Sequence, residues 1–405
     1  MKILFVNMDG LQKLENQYYT EDPWILFPIK LAEHCEKITL LSTVEIISEK
    51  TDLSSFDGWH LENIKNIKIE YFDFYDSFIT YYKLWWKRAR AWKKQIKELI
   101  KNHDVVIIRL PSPMASIVTN CIQRTGKPLI CIVRGNISTA SDRILESHGL
   151  MRLFYSGLKS LILGQEHKCA TVSRLVYVYS NELSNRFRKS NSNVKIMRTP
   201  HVSLGDFFHR TDTCQSEEVK LLRVCRLIPS KGLEHLLECL ALLHSQNITA
   251  KLEIIGKERY PIYLSKLKKL TEKLEIQDHV KFTGWVPYNR TKEVFLRNDI
   301  QVISSISEGM PRCIIEGAAR GLPLVSTNAG GCADILSHEK NALVVPSGNP
   351  VSMAKAIVRV IKNPELRREL IKNGYELARS SSFEVLGKQF LDEIREVVPQ
   401  IRTEC

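Results

Sequence analysis

The residues whose types and spacing suit chemistry fall in one stretch, from Ser304 to Gly331. It holds Glu308, Gly309, Met310, Pro311, Arg312, Glu316 and the pair Gly330-Gly331. Read physically, a strand ends at Ser304, a short loop carries Glu308 and Gly309, and a helix follows. Pro311 suits the first helical turn, where its missing N–H costs nothing. Gly321 stops the helix, and Pro323 stands at the start of the next strand. A glycine and a run of backbone N–H groups at a helix N-terminus form an anion site, because unpaired donors and the helix dipole both favour negative charge. Glu308 and Glu316 lie about two helical turns apart along the chain, so both can face one elongated ligand without touching. Carboxylates accept hydrogen bonds from diols while backbone amides take phosphate, which suits a phosphate carrying hydroxyl-rich sugars.

A second cluster, Arg226-Leu-Ile-Pro-Ser-Lys-Gly232, supplies cations at a strand end. When the bond between an anomeric carbon and a diphosphate breaks, charge accumulates on the departing oxygens, and fixed cations nearby lower the barrier. Arg226 forks onto phosphate oxygens, and Lys231 acts as a point charge.

Alternating apolar strands and helices must position these groups, the pattern of parallel sheets covered on both faces. In the first half the expected strands are Lys2 to Val6, Lys37 to Leu41, Ile67 to Phe72, Val105 to Ile108, Leu129 to Val133, Thr171 to Val178 and Val194 to Met197. Ligands of such sheets bind beyond the carboxyl ends of the strands. The loops Asn7-Met-Asp-Gly10, Arg109 to Ser112, Arg134 to Asn136 and Ser180-Asn181 are therefore the expected acceptor side. A fresh alternation begins after the region 196–218. It runs through strands at 221–224, 251–255, 280–282, 299–304, 322–327 and 342–346, with helices between and after them.

The stretch around Glu308 resembles the donor-site motif of retaining glycosyltransferases of family 4, a glutamate, seven residues and a second glutamate, with Gly-x-Pro after the first. Glu308, Gly309, Pro311, Glu316, Gly317, Gly321-Leu-Pro323 and Gly330-Gly331 fall in register. The resemblance implies an α/β chain of GT-B fold, two doubly wound Rossmann-like domains facing across a cleft. Residues 1–200 would bind acceptor and 201–382 the nucleotide-sugar donor, with 383–405 a C-terminal helix crossing back to the first domain. It implies a catalytic set of Glu308, Arg226 and Lys231. Glu308 would meet the donor sugar's hydroxyls, Gly309, Met310, Pro311 and Arg312 sugar and phosphate, and Glu316 the ribose. Gly256, Lys257, Trp285 and Val286 would lie by the base. Cys225 departs from the family's usual glycine before the arginine. The first domain fits less well: Asp9 and Gly10 stand where relatives have a Gly-Gly pair, and Arg134-Gly135 where they have His-Gly. Thr199-Pro-His-Val-Ser203 replaces Asn-Gly-Val-Asp. Asp9, Gly10, Arg134 and His201 are the acceptor-side candidates.

The composition bounds these readings. The 405 residues, 44% hydrophobic and 25% charged, suffice for two domains. Ten cysteines without a Cys-x-x-Cys pair argue for reduced thiols in a cytoplasmic protein and against a zinc site. The chain starts at once with a short strand, not a signal sequence, and no apolar run reaches the roughly 18 residues of a membrane span. A net charge of +13 implies an anionic partner. Nucleic acid ranks last, since no nucleic-acid-binding pattern accompanies the charge. Residues 81–101 form a basic, Trp-bearing helix that packs on a sheet, and its cationic face suits an anionic membrane surface. Its use there would place the protein peripherally on the inner face of the cytoplasmic membrane.

With no Asp-x-Asp in the chain, the cations and helix N-terminus are expected to replace a metal, and no cofactor is expected. The reading is a retaining, metal-independent bacterial glycosyltransferase. It would move a sugar from a nucleotide-diphosphate sugar, UDP ahead of GDP, to a lipid-linked saccharide in surface polysaccharide synthesis. The alternatives are a nucleotide-sugar 2-epimerase of the same architecture and a non-catalytic nucleotide-sugar-binding partner of another transferase.

Overall fold

The computed structural model describes residues 1–405 except 16, 21, 48–58, 62–63, 73–77, 134–148, 199, 201, 259, 309–310 and 399–405. The chain divides into two compact units, Met1–Arg198 with Gly387–Cys405, and Thr199–Leu386.

The first unit runs β1 (Lys2–Leu14), β2 (Gln17–Thr20), α1 (Leu26–Ala32), β3 (Lys37–Ile46), β4 (Trp59–His60), β5 (Ile67–Phe72), α2 (Phe78–Lys101), β6 (Val105–Leu110), α3 (Ala115–Thr125), β7 (Leu129–Val133), α4 (Gly149–Val172), β8 (Leu175–Val178), α5 (Asn181–Phe187) and β9 (Val194–Ile196). Its sheet has nine strands among the described residues, in the order β4-β2-β1-β6-β7-β8-β9, with β3 between β1 and β5. β6 and β7 are buried at every residue, as strands covered on both faces must be, and their sequences are correspondingly unbroken apolar runs around Arg109.

Three sequence expectations change here. Asn7 to Gly10 is not a loop: the chain stays extended to Leu14, paired in parallel with β3 through register shifts between Val6 and Met8 and between Met8 and Leu11. Beyond the shifts β1 gains an antiparallel partner, β2, so the edge of this sheet is mixed. The strand expected from Thr171 starts only at Leu175. Thr171 and Val172 favour strands by their β-branching, but Cys169 and Ala170 are wholly buried, and this packing carries α4 through Val172. Arg109 belongs to β6 and is 2% exposed, its guanidinium stacked 4.0 Å over Trp24 and 3.4 Å from Asp22. In α2, Trp92, Ile96 and Ile100 are core, while Lys87, Arg90, Lys93, Lys94, Lys97 and Lys101 are exposed.

The second unit runs β10 (Val219–Val224), α6 (Leu233–Ser245), β11 (Ala250–Ile255), α7 (Pro261–Lys273), β12 (Val280–Gly284), α8 (Tyr288–Leu296), β13 (Ile300–Ile303), α9 (Arg312–Ala319), β14 (Leu324–Thr327), α10 (Gly331–Ile335), β15 (Leu343–Val345), α11 (Pro350–Lys362) and α12 (Pro364–Ser380). Its six strands, all parallel, are ordered β12-β11-β10-β13-β14-β15. The order reverses at β10 and β13, so the crevice for a ligand opens beyond their carboxyl ends. Leu233, Leu236, Leu237, Leu240 and Leu243 put one stripe of α6 on the sheet, and Asn349 and Asn363 cap α11 and α12 through Ser352 N and Leu366 N. A last helix, α13 (Phe383–Val397), begins in this unit and continues into the first, where Phe390 packs against Phe27 and Tyr177.

Candidate functional site

The parallel pairing of β10 with β11 and β13 brings Arg226, Lys231 and the loop after β13 to one end of the second sheet. The 3-10 turn Pro229–Lys231 is tied to that loop: Ile306 N donates to Ser230 O at 2.9 Å, and Ser304 Oγ donates to Lys231 O at 2.8 Å. Ser305 O accepts from Thr327 Oγ1 at 2.7 Å and from Ser347 Oγ at 2.9 Å, so neighbouring strands fix the loop's root.

Glu308 is nearly buried, 8% exposed, and both of its oxygens are engaged. Lys231 Nζ donates to Oε2 at 2.7 Å, and Ser305 Oγ donates to Oε1 at 2.6 Å. Behind them lies the wholly buried Arg223, its Nη2 2.6 Å from Ser305 Oγ and 3.8 Å from Glu308 Oε1. A bulky cation in an apolar strand was the sequence signal for Arg223, and Ser305 carried none beyond its nearness to Glu308. The backbone of Glu308 is also seated: its carbonyl accepts from Gly331 N at 3.2 Å, and it lies where a Cβ on Gly330, at φ +46°, would come within 2.1 Å.

Pro311 caps α9 instead of entering its first turn, in an extended conformation with ψ 103°, and the helix begins at Arg312. Among the described residues no side chain caps this end; Ile314 N donates to Pro311 O at 3.2 Å, and the N–H groups of Arg312 and Cys313 are left without a capping side chain. Glu316, half-buried, accepts no side-chain hydrogen bond among the described residues. Burial pushes its carboxyl above the usual range, against the pull of Arg312 and Arg320. Arg226 is exposed and makes no ion pair among the described residues.

Beside Arg226, Gly256 N donates to Gly284 O at 2.8 Å and Leu227 N to Lys257 O at 3.2 Å, so the strand ends carrying Gly256, Lys257, Trp285 and Val286 adjoin. Trp285 is 48% exposed. The close backbone approach near Cys225 is made by Gly256, whose Cβ would sit 1.7 Å from the Cys225 carbonyl. Cysteine is thereby accommodated at 225, with its thiol pushed up by burial. Gly309, Met310, Arg134 and His201 lie outside the described residues, and Asp9 and Gly10 are described only as backbone within β1. Among the described residues no cluster of His, Cys, Asp and Glu is arranged to hold a metal, and no helix is long and apolar enough to cross a membrane.

Residues 207–377 match the family model of glycosyl transferases group 1. This domain contains every described member of the constellation around Glu308. The putative glycosyltransferase YtcC of Bacillus subtilis (strain 168) is 35% identical over 158 residues, 36% of this chain and 38% of that protein. The lipopolysaccharide core biosynthesis glycosyltransferase LpsD of Rhizobium meliloti (strain 1021) is 26% identical over 227 residues, 56% of this chain and 60% of that protein. The chain thus spans less than two thirds of either relative. Among solved structures, Anabaena Alr3699/HepE in complex with UDP superposes with a TM-score of 0.72 at 16% identity, covering 98% of this chain and 100% of that one. The fold is GT-B.

Proposed function

We propose that the protein is a retaining, metal-independent glycosyltransferase. It transfers a sugar from a nucleotide-diphosphate sugar, a UDP-sugar by preference, to a lipid-linked saccharide during surface polysaccharide synthesis. The observation that carries this reading is Glu308 clamped by Lys231 and Ser305 beside a helix N-terminus without a side-chain cap, with the side-chain heads of Arg226 and Glu316 making no hydrogen bond or ion pair among the described residues. The group 1 domain, the LpsD relative and the UDP-bound neighbour support it.

An ionised carboxylate has about four acceptor positions, so Glu308 keeps two for the hydroxyls of the donor sugar. The Lys231 ammonium has three N–H groups; one serves Glu308, and two face the departing phosphate with Arg226. The bond from the anomeric carbon to the phosphate oxygen breaks, and the acceptor oxygen bonds to that carbon on the same face. The acceptor's proton passes to the departing diphosphate. Glu308 orients the sugar and stabilises the developing oxocarbenium charge, and Glu316 takes the ribose hydroxyls. The first unit receives the acceptor, with Asp9, Gly10, Arg134 and His201 as its candidate contacts.

Calorimetric binding of UDP, GDP and CMP to the wild type and to Arg226→Ala tests the donor site. Selective binding of one diphosphate, weakened at least about tenfold in the variant, is the expected result. Binding of none of the three overturns the reading. Glu308→Ala is expected to bind the nucleotide as the wild type does and to transfer no sugar, and turnover is expected to persist in excess EDTA.

A further inference from the structure

A carboxylate that must orient a sugar needs an aim as well as a charge, and Glu308 receives both from behind. Arg223 is the fifth residue of β10, flanked by the buried Leu222 and partly buried Val224, and is 0% exposed. Its Nη2 donates to Ser305 Oγ at 2.6 Å, and Ser305 Oγ lies 2.6 Å from Glu308 Oε1. A guanidinium has donors only. The Ser305 hydroxyl must therefore accept from Arg223, and its single proton is left for Glu308. The direction of the chain is fixed: Arg223 to Ser305 to Oε1.

The other groups facing Glu308 are the Lys231 ammonium and the thiols of Cys225, Cys313 and Cys332. Burial raises all three thiols, Cys313 to about 12 and Cys332 to about 11, so they carry no charge near neutrality. Among the described residues Arg223 and Lys231 are then the two fixed charges against this carboxylate. The Nε and Nη1 groups of Arg223 find no hydrogen-bond partner among the described residues. A guanidinium buried only to brace the fold would spend its donors on carbonyls, as Arg210 does on Phe295, Leu296 and Asn298.

We infer that Arg223 is a positioning residue for Glu308. It turns the Ser305 hydroxyl toward Oε1 and holds the carboxylate aimed when donor phosphates compete for Lys231. The inference rests on the proposed donor site but adds a residue that does not touch the donor.

The test compares wild type, Arg223→Gln, Arg223→Lys and Ser305→Ala. It measures UDP or GDP release from a panel of UDP- and GDP-hexoses, with UDP and GDP affinity and melting temperature alongside. In Arg223→Gln, kcat is expected to fall by at least about tenfold. Affinity for the nucleotide that the wild type binds stays within about threefold. Arg223→Lys restores most of kcat, and Ser305→Ala lowers kcat at unchanged nucleotide affinity. Wild-type kcat in folded Arg223→Gln overturns the inference, as does loss of nucleotide binding parallel to the loss of kcat, the mark of a bracing role alone. Should Arg223→Gln fail to fold, wild-type kcat in Ser305→Ala overturns it. A wild type that binds neither nucleotide and turns over no donor overturns the proposed function and this inference with it. A wild type that does both, with wild-type kcat in folded Arg223→Gln, removes the inference alone.

Discussion

Glu308 is pre-set before any ligand arrives, through side-chain contacts on both oxygens and a backbone wedged against Gly330. The wedge is testable apart from the charges. In Gly330→Ala the new Cβ would meet the Glu308 carbonyl at 2.1 Å and the residue would have to keep φ +46°. A displacement near 1 Å at a reacting site costs about 10²-fold in rate. Saturating-donor turnover is expected to fall by about that factor, with a lowered melting temperature from the strained backbone; unchanged turnover in the folded variant would show that this wedge does not set Glu308. Glu308, Glu316, Arg226 and Lys231 were legible in the sequence because glycines and prolines fix their spacing. Arg223 and Ser305 were not, since a strand is read for what it packs and only a fold shows that an arginine of β10 reaches the loop after β13.

Element periodicity was a good guide where one force dominated. The alternation of the second unit, governed by parallel pairing and the Leu stripe of α6, was readable except for the short helix α10 between β14 and β15. It was a poor guide where two forces competed: burial extended α4 over β-branched residues, and pairing with β3 at Met8, then with both β3 and β2 from Leu11, carried β1 past Asn7-Met-Asp-Gly10. α2 shows such a division within one helix. Its Trp92 packs against Phe72, the rings tilted with centroids 5.9 Å apart, and its outward side presents Lys87, Arg90, Lys93, Lys94, Lys97 and Lys101 without an ion pair among the described residues. We propose that this side meets anionic lipid by charge, not by inserting a ring from Trp92. Flotation with phosphatidylglycerol vesicles is expected, with none on phosphatidylcholine. It should vanish in Lys93→Glu/Lys94→Glu/Lys97→Glu and in high salt, where the Debye length falls from about 10 Å at 0.1 M to about 3 Å at 1 M. Flotation that survives salt would contradict an electrostatic dock.

On the scale of the whole molecule, the site motif and the family match at 207–377 lie in the second unit, and three of the four acceptor candidates, Asp9, Gly10 and Arg134, in the first. That asymmetry is physical. A donor site must meet the same diphosphate in every enzyme of the kind, whereas loops that choose an acceptor are free to change so long as the sheet beneath them stays apolar. The path of α13 has a further consequence. Since Gly387–Cys405 belongs with Met1–Arg198, the second unit is an insertion within the first, and the first is closed by a segment that follows the second in the chain. Tyr177 bonds Glu393, Lys195 Nζ lies 3.1 Å from Glu393, and Phe27 packs on Phe390, so this closure is a docked helix and not a tail. A chain stopped after Leu386 is expected to keep nucleotide binding in its second unit while its first unit becomes protease-sensitive; resistance equal to the full chain would refute this. During synthesis, Thr199–Leu386 would be complete while Met1–Arg198 still waited for the helix that docks on it.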